Sequence, residues 1–596
     1  MVQASCQFCT KIHNNILIRR DAMRNYDRVN APPPKDIKKK HAYIIGGGLA
    51  GLSAAISLVT DAHMPPANIT IYDSLPILGG SMDAAGNSIA GYTSRGEREL
   101  EARMECLWYI CSKIPSIQTP GMTVLDETYY ANVREPINSK FRLMHKQGQL
   151  YDYSGPLMSV HDTKRMAELL LTPEEELEDL SAEDWFSSDF TKSVFWYCWS
   201  TMLAFRPYHS LIEVRRYLSR FMMYTSCVTR LSNILHTEYN EYDSIIKPMH
   251  VWLCSLGVDF KTNTTVTDIE IAEHSGETVV TGLEIKDLDG ERRIELNKND
   301  FVFFTNGSLT QNAMMGNSNS VAPLNRDTEN RGCFTLWEKL AAKDKKFGNP
   351  SAFLSNIDKT NFISFFPTIR GDRTFFDFIE TKTGNAAGTG GAITIIDSSW
   401  KLAFVLYNKY FPNQPEDTNV FFAYGQCTDT PGDFIKKPMK ECSGTELFIE
   451  LLHHCGCNEE QIKRTLAHAT VSTAMMPYVT SQFMPRKISD RPRVIPDGCV
   501  NLAFIGQFVE LPLDVVFTVE TSVRTALMAV WGLTGLQKPM IPVYEPTYDI
   551  RVIIDTLKAS LGIEEISLST LPLILSSAPS LTLLWNKLND LPKPLI

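Results

Sequence analysis

Four glycines and one aspartate near the start of the chain have the spacing of a phosphate cradle. Gly46-Gly-Gly48-Leu49-Ala50-Gly51 is followed by Asp73, 22 residues beyond Gly51. Gly46 permits a tight turn, Gly48 lets a pyrophosphate approach the backbone, and Gly51 lets a helix pack close to a strand. Free N–H groups and the positive dipole end of the following helix would face the phosphates. Asp73 is placed to accept from ribose hydroxyls. A second glycine turn, Gly79-Gly80-Ser81, follows, and late in the chain Gly506-Gln507 closes another apolar run. Metal-type clusters are weaker. Cys6 and Cys9 form a lone pair without a second one, and His453, His454, Cys455 and Cys457 crowd a helix end closed by Gly456. Helix-end chemistry accounts for the latter, so no metal is expected.

The elements that position these residues can be read around them. Tyr43–Ile45 is a short apolar strand, Leu52–Val59 a helix, and Ile69–Tyr72 a second strand ending at Asp73. Strand, glycine turn, helix, strand and acid make the mononucleotide-binding half of a doubly wound sheet. The extra turn at Gly80-Ser81 is one that FAD proteins use, and FAD is the expected cofactor. Phe303–Gly307, with Asn306, and Asn501–Gln507, followed by a helix over about 522–531, read as returns to the same domain. The fold class is therefore α/β. A Rossmann-like FAD-binding domain is assembled from separated segments (41–135, 260–310 and 490–535). It carries a mainly helical lobe (136–259), where Leu211, Val214, Leu218 and Phe221 recur at helical spacing. It also carries a mixed α+β substrate-binding lobe (311–489). Residues 1–40 read as an arm and 536–596 as a C-terminal segment with membrane-associating character. Asp287-Leu-Asp-Gly290 predicts a hairpin turn.

Composition excludes several function classes. Among 596 residues, 58 Lys and Arg stand against 68 Asp and Glu, a net charge of −10, which is the wrong sign for a nucleic-acid protein. Residues 1–40 contain no apolar run of a secretory signal, and thirteen irregularly spaced cysteines read as free thiols in a reducing, cytoplasmic setting. The charge-free stretch 566–585 carries Pro572 and Pro579, which suits a membrane surface better than a membrane span.

Longer motifs narrow the reading. Gly80-Ser-Met-Asp-Ala-Ala-Gly-Asn87 precedes Arg95-Gly96-Glu97-Arg98-Glu99-Leu100. Phe205-Arg-Pro-Tyr-His209-Ser-Leu211, Arg215-Arg-Tyr217-Leu-Ser-Arg-Phe221, Tyr239-Asn-Glu241-Tyr-Asp-Ser244, Ser481–Arg486 and Phe504–Glu510 follow. Together, over about residues 25–535, these blocks resemble the oleate hydratase family of FAD-dependent fatty acid hydratases. The resemblance implies addition of water across the double bond of a long-chain unsaturated fatty acid, without net redox change. It also implies a homodimer and a peripheral membrane contact. It maps the water-activating carboxylate onto Glu99 and the proton donor onto Tyr217, and sets Glu241 beside the reacting carbons. Gly46, Gly48, Gly51, Asp73, Gly80, Ser81, Arg95, Gly96, Asn306, Gly506 and Gln507 become the cofactor set.

The departures are local. Glu97 replaces a family glycine, placing a Cβ and a charge where the loop must bend. Glu241 replaces a glutamine. The family's Thr, Asn and His anchor for the fatty acid carboxylate aligns with Val405, Tyr407 and Phe411. A one-residue slip restores only Asn408. These positions, with His209, are the expected substrate contacts. Three other readings remain open from sequence: a double-bond isomerase using Glu241 as an extra base, a redox flavoenzyme, and a non-enzymatic lipid or FAD binder.

Overall fold

The computed structural model describes residues 31–151 and 153–563. Cys6, Cys9 and the 566–585 stretch lie outside them. The first layer is a five-stranded, wholly parallel sheet in the order β5-β4-β1-β2-β3. The strands are β1 (Ala42–Ile45), β2 (Ile69–Tyr72), β3 (Asp259–Lys261), β4 (Phe301–Thr305) and β5 (Leu502–Ile505). Their brevity and near-continuous apolar sequence match strands covered on both faces. Ile44, Ile71, Val302, Phe303, Leu502 and Phe504 are fully buried. Each such side chain is worth roughly 1.5–3 kcal/mol of burial.

Helix α1 (Leu49–Thr60) crosses from β1 to β2, buried over nearly its whole length. Its register against α4 (Val519–Thr534) is locked by Trp531, whose indole N–H donates to both Ser57 Oγ and Asp61 Oδ2 at 3.1 Å. The sheet thus takes strands from three separated stretches of chain.

The second layer is an eight-stranded mixed sheet. Its centre, Phe362–Arg370, is buried from Phe362 through Thr368 and Ile369 and pairs antiparallel with Thr418–Gly425 and Ala469–Met476. Residues 143–145 and 149–150, which the sequence reading assigned to the helical lobe, instead extend this sheet's far edge beside Ile393–Ile395. Three residues and two residues are too short to show a period-2 signal, so a pattern reading passes over them. The hairpin predicted at 287–290 is present, joining Glu277–Asp287 to Gly290–Glu295.

Helices α2 (Val194–Met202) and α3 (Leu211–Arg220) form the core of the third, helical layer. Their aromatic contacts stack Trp199 on Phe205 and Phe205 on Phe483. Helix α5 (Ile550–Leu561) packs on this lobe, Thr556 donating to the Met222 carbonyl. No helix among the described residues is long and apolar enough to cross a membrane. The described cysteines are free, and most are buried.

Candidate functional site

The glycine cradle forms at the β1–α1 turn. Gly46 has φ +105°, and its N–H donates to the Tyr72 carbonyl at 2.8 Å. A Cβ on Gly51 would lie 2.0 Å from the Gly46 carbonyl oxygen, so helix and turn meet only through glycine. Gly48 differs: a Cβ there would come no nearer than 3.7 Å to any protein atom. Its front is open to a cavity lined by Gly46, Gly48, Asp73, Gly80, Ser81, Arg95, Gly506 and Gln507. Asp73 accepts from the Gly47 and Leu75 N–H groups at 2.8 Å each, and burial raises its pKa. Neither α1 nor α4 has a side-chain N-cap, and both helix starts, Leu49 and Val519, reach this cavity. Two uncapped N-termini over an open glycine turn offer unpaired donors to an anionic dinucleotide.

Arg95, with Arg98, Thr310 and Val519, lines both this cavity and a second, apolar one. Its guanidinium donates to Asp83 at 2.7 Å, the Gly80 carbonyl at 2.7 Å and the Thr310 carbonyl at 3.3 Å. Beyond it, Trp199, Leu218, Phe221, Phe362, Phe422 and Val479 surround a cavity that also exposes Glu99 and Tyr217. Gly96 lines this cavity rather than the dinucleotide one. A Cβ on it would lie 2.4 Å from the Arg98 guanidinium, so the glycine makes room for Arg98.

Glu99 and Tyr217 belong to different elements, the loop before Leu100–Glu101 and helix α3, and they share one apolar chamber. Burial pushes the Glu99 carboxyl up to about 7, the charge of Arg142 pulling the other way. Burial also raises the Tyr217 phenol well above its ordinary value, so it is protonated. Its oxygen accepts from the Phe517 backbone N–H at 2.7 Å. The arginines beside it on α3 serve elsewhere. Arg216 pairs with Glu174 and Glu510, and Arg220 with Glu101 and Asp514, while Glu213 is clasped by Arg486 and Arg491. Phe517 and Arg142 were missed from sequence: a backbone donor and an arginine distant in the chain leave no local motif.

Glu97 lines this chamber too, whereas Glu241, expected beside the reacting carbons, lines only a smaller cavity next to it. The backbone at Glu97 is not in the left-handed region, so the Cβ expected to strain the loop is accommodated. Glu241 accepts from the Arg98 N–H at 2.7 Å and the Tyr410 hydroxyl at 3.2 Å. Burial raises both carboxyls, and for Glu97 the nearby charges of Glu99 and Glu241 raise it further, well above the ordinary range.

The remaining expected residues divide. Val405 lines the apolar cavity, while Tyr407 and Asn408 line a smaller polar one beside it. Three do not reach these spaces. Phe411 is buried against Tyr92, ring centroids 4.1 Å apart. His209 is buried with Nδ1 accepting from the Arg206 N–H. Asn306 is buried and donates to the Phe508 carbonyl at 2.9 Å, tying the β4 and β5 returns together. His209 and Asn306 thus hold the frame around these spaces, and Phe411 packs into it. The helix end at Gly456 carries no Cys–His ligand set. His454 turns to Asp433 at 3.1 Å, and Glu450 accepts the N–H groups of residues 433–435.

Comparison with known proteins bears on this geometry. Residues 39–531 match the model of the MCRA family. Oleate hydratase from Streptococcus pyogenes serotype M49 (strain NZ131) is 38% identical over 538 residues, covering 88% of this chain and 91% of that one. Linoleate hydratase from Lactiplantibacillus plantarum is 28% identical over 551 residues, covering 86% and 96%. Among solved structures, cyclohexylamine oxidase from Brevibacterium oxydans IH-35A is 12% identical with a TM-score of 0.47, covering 83% of this chain and 99% of that one.

Proposed function

The chain belongs to the MCRA family, and from that premise we propose that it is an FAD-dependent hydratase adding water to a carbon–carbon double bond of a long-chain unsaturated fatty acid. The observation that carries this is one apolar chamber lined by both Glu99, a carboxyl of pKa about 7, and Tyr217, a protonated phenol. An isolated alkene is a very weak base, so hydration needs a positioned proton donor at one carbon and a base holding water at the other. Tyr217 supplies the proton. As its oxygen gains negative charge, the Phe517 N–H already aimed at it stabilises that charge without reorganisation. Glu99, ionised above pH 7, takes the proton of the attacking water. The aromatic and aliphatic walls seat the acyl chain and exclude surplus water.

FAD fits the dinucleotide cavity, with Asp73 placed for ribose, Gly48 and the start of α1 for the pyrophosphate, and Arg95 at the wall shared with the substrate chamber. When bound it completes the site and exchanges no net electrons, because alkene plus water and alcohol stand at the same oxidation level.

The test is incubation of FAD-loaded protein with oleate and linoleate in heavy-oxygen water. Product carrying the label in a new hydroxyl supports the reading. An unlabelled product of unchanged mass, or stoichiometric bleaching of the flavin, overturns it.

A further inference from the structure

A hydratase with a greasy substrate chamber has two needs that the chamber cannot meet. Each turnover consumes a water that cannot arrive past an acyl chain, and each leaves a proton on the base that must be shed. A second cavity lies against the chamber. Glu97, Arg98, Glu99 and Val405 form the wall that it shares with the apolar chamber, and Tyr217 lines only the chamber. The second cavity is more polar than the chamber, and its lining includes the exposed Asn408 and Lys409.

Of the two extra carboxyls lining the second cavity, Glu241 does not reach the chamber and is fixed between the Arg98 N–H and the Tyr410 hydroxyl. Glu97 faces both cavities and makes no ion pair among the described residues; the Tyr407 hydroxyl lies beside it, and the charges of Glu99, Glu241 and Arg98 are close enough to act on it. A carboxyl free to accept on one oxygen and donate from the other suits proton transfer rather than anchoring.

We propose that the polar cavity is the water inlet of this enzyme, and that Glu97 is a relay residue passing to it the proton that Glu99 takes from water. The inference rests on Glu99 being the base. The steps balance. A water O–H bond breaks as its oxygen bonds carbon, and the proton goes to Glu99. Glu97 accepts that proton while releasing its own to water in the polar cavity. One proton from solvent restores the Tyr217 phenol after its own has gone to the neighbouring carbon. Burial and the charges of Glu99 and Glu241 favour the protonated form of Glu97, the form from which such an exchange starts.

The experiment compares Glu97→Gln, Glu97→Asp, Asn408→Trp and Glu99→Gln in FAD-loaded protein with oleate, measuring kcat, KM, flavin content and the solvent deuterium isotope effect. Glu97→Gln should keep flavin content and KM and lose on the order of 10²-fold in kcat, the low end for a positioned acid–base group. Its isotope effect should grow as proton release becomes limiting, and Glu97→Asp should restore most of the rate. Asn408→Trp, plugging the rim, should lower kcat at constant KM. A wild-type rate and isotope effect in Glu97→Gln beside an inert Glu99→Gln would overturn the relay alone. Equal losses in Glu97→Gln and Glu97→Asp would reduce Glu97 to packing, and an unimpaired Asn408→Trp would remove the inlet. Activity in Glu99→Gln would instead overturn the base assignment, and the relay with it.

Discussion

In the proposed role of base, Glu99 would take a proton near neutrality from a place that penalises its charge, and that conflict is measurable. With the carboxyl raised to about 7, kcat/KM for hydration should fall as pH drops through 7, a limb checked by a rate profile from pH 5 to 9. The same shift has a stability sign. The folded state binds the Glu99 proton more tightly than the unfolded chain, so stability is fully present below the unfolded carboxylate range and lost as pH rises through 7. Glu99→Gln should therefore abolish turnover yet stabilise the fold at pH 8, by about 3 kcal/mol at most, with little effect at pH 4. Thermal melts at the two pH values test this. Tyr217→Phe should cost on the order of 10²–10⁴ in rate, and leaves the Phe517 amide without its acceptor. At this scale the sequence revealed only identities. The motifs around Glu99 and Tyr217 singled out two residues that the fold brings to one chamber, whereas the amide behind the phenol and the ion pairs that draw Arg216 and Arg220 away from it exist only once the chain is folded.

At the scale of elements, the β1–α1 turn separates two kinds of glycine. Gly51→Ala places a methyl 2.0 Å from the Gly46 carbonyl and should destabilise the domain by roughly 1–3 kcal/mol, as overpacking does. Gly48→Ala meets no protein atom closer than 3.7 Å, so the apoprotein melt should be unchanged while FAD affinity falls. Titration with FAD beside thermal melts of the apoproteins distinguishes the two. On α3, Glu213 is fully buried between Arg486 and Arg491, and Glu213→Gln should cost about 3–5 kcal/mol by stranding their charges. The strand–turn–helix unit was readable because apolar runs, glycines and an acid recur within about thirty residues. The strands at 143–150 were not, because their place is decided by pairing with Ile393–Ile395 far along the chain.

At the scale of the molecule, the parallel sheet joins segments hundreds of residues apart, and the dinucleotide cavity draws its lining from all of them. A ligand binding there ties the termini of the domain together, so stripping FAD should lower the melting temperature. Restoring it at about 100 times its Kd should return roughly 2.7 kcal/mol, as read by melts across an FAD titration. The discontinuous layout was legible from the glycine returns at 303–307 and 501–507, while the way the lobes close over two cavities was not, since no local pattern encodes long-range packing. Arg95 adds a thermodynamic corollary. One guanidinium is at once a wall of the dinucleotide-type cavity and a wall of the apolar chamber. Occupancy of either side is felt by the same side chain, and linkage is reciprocal: a lipid that tightens flavin binding by some factor must itself be held more tightly, by that same factor, when flavin is present.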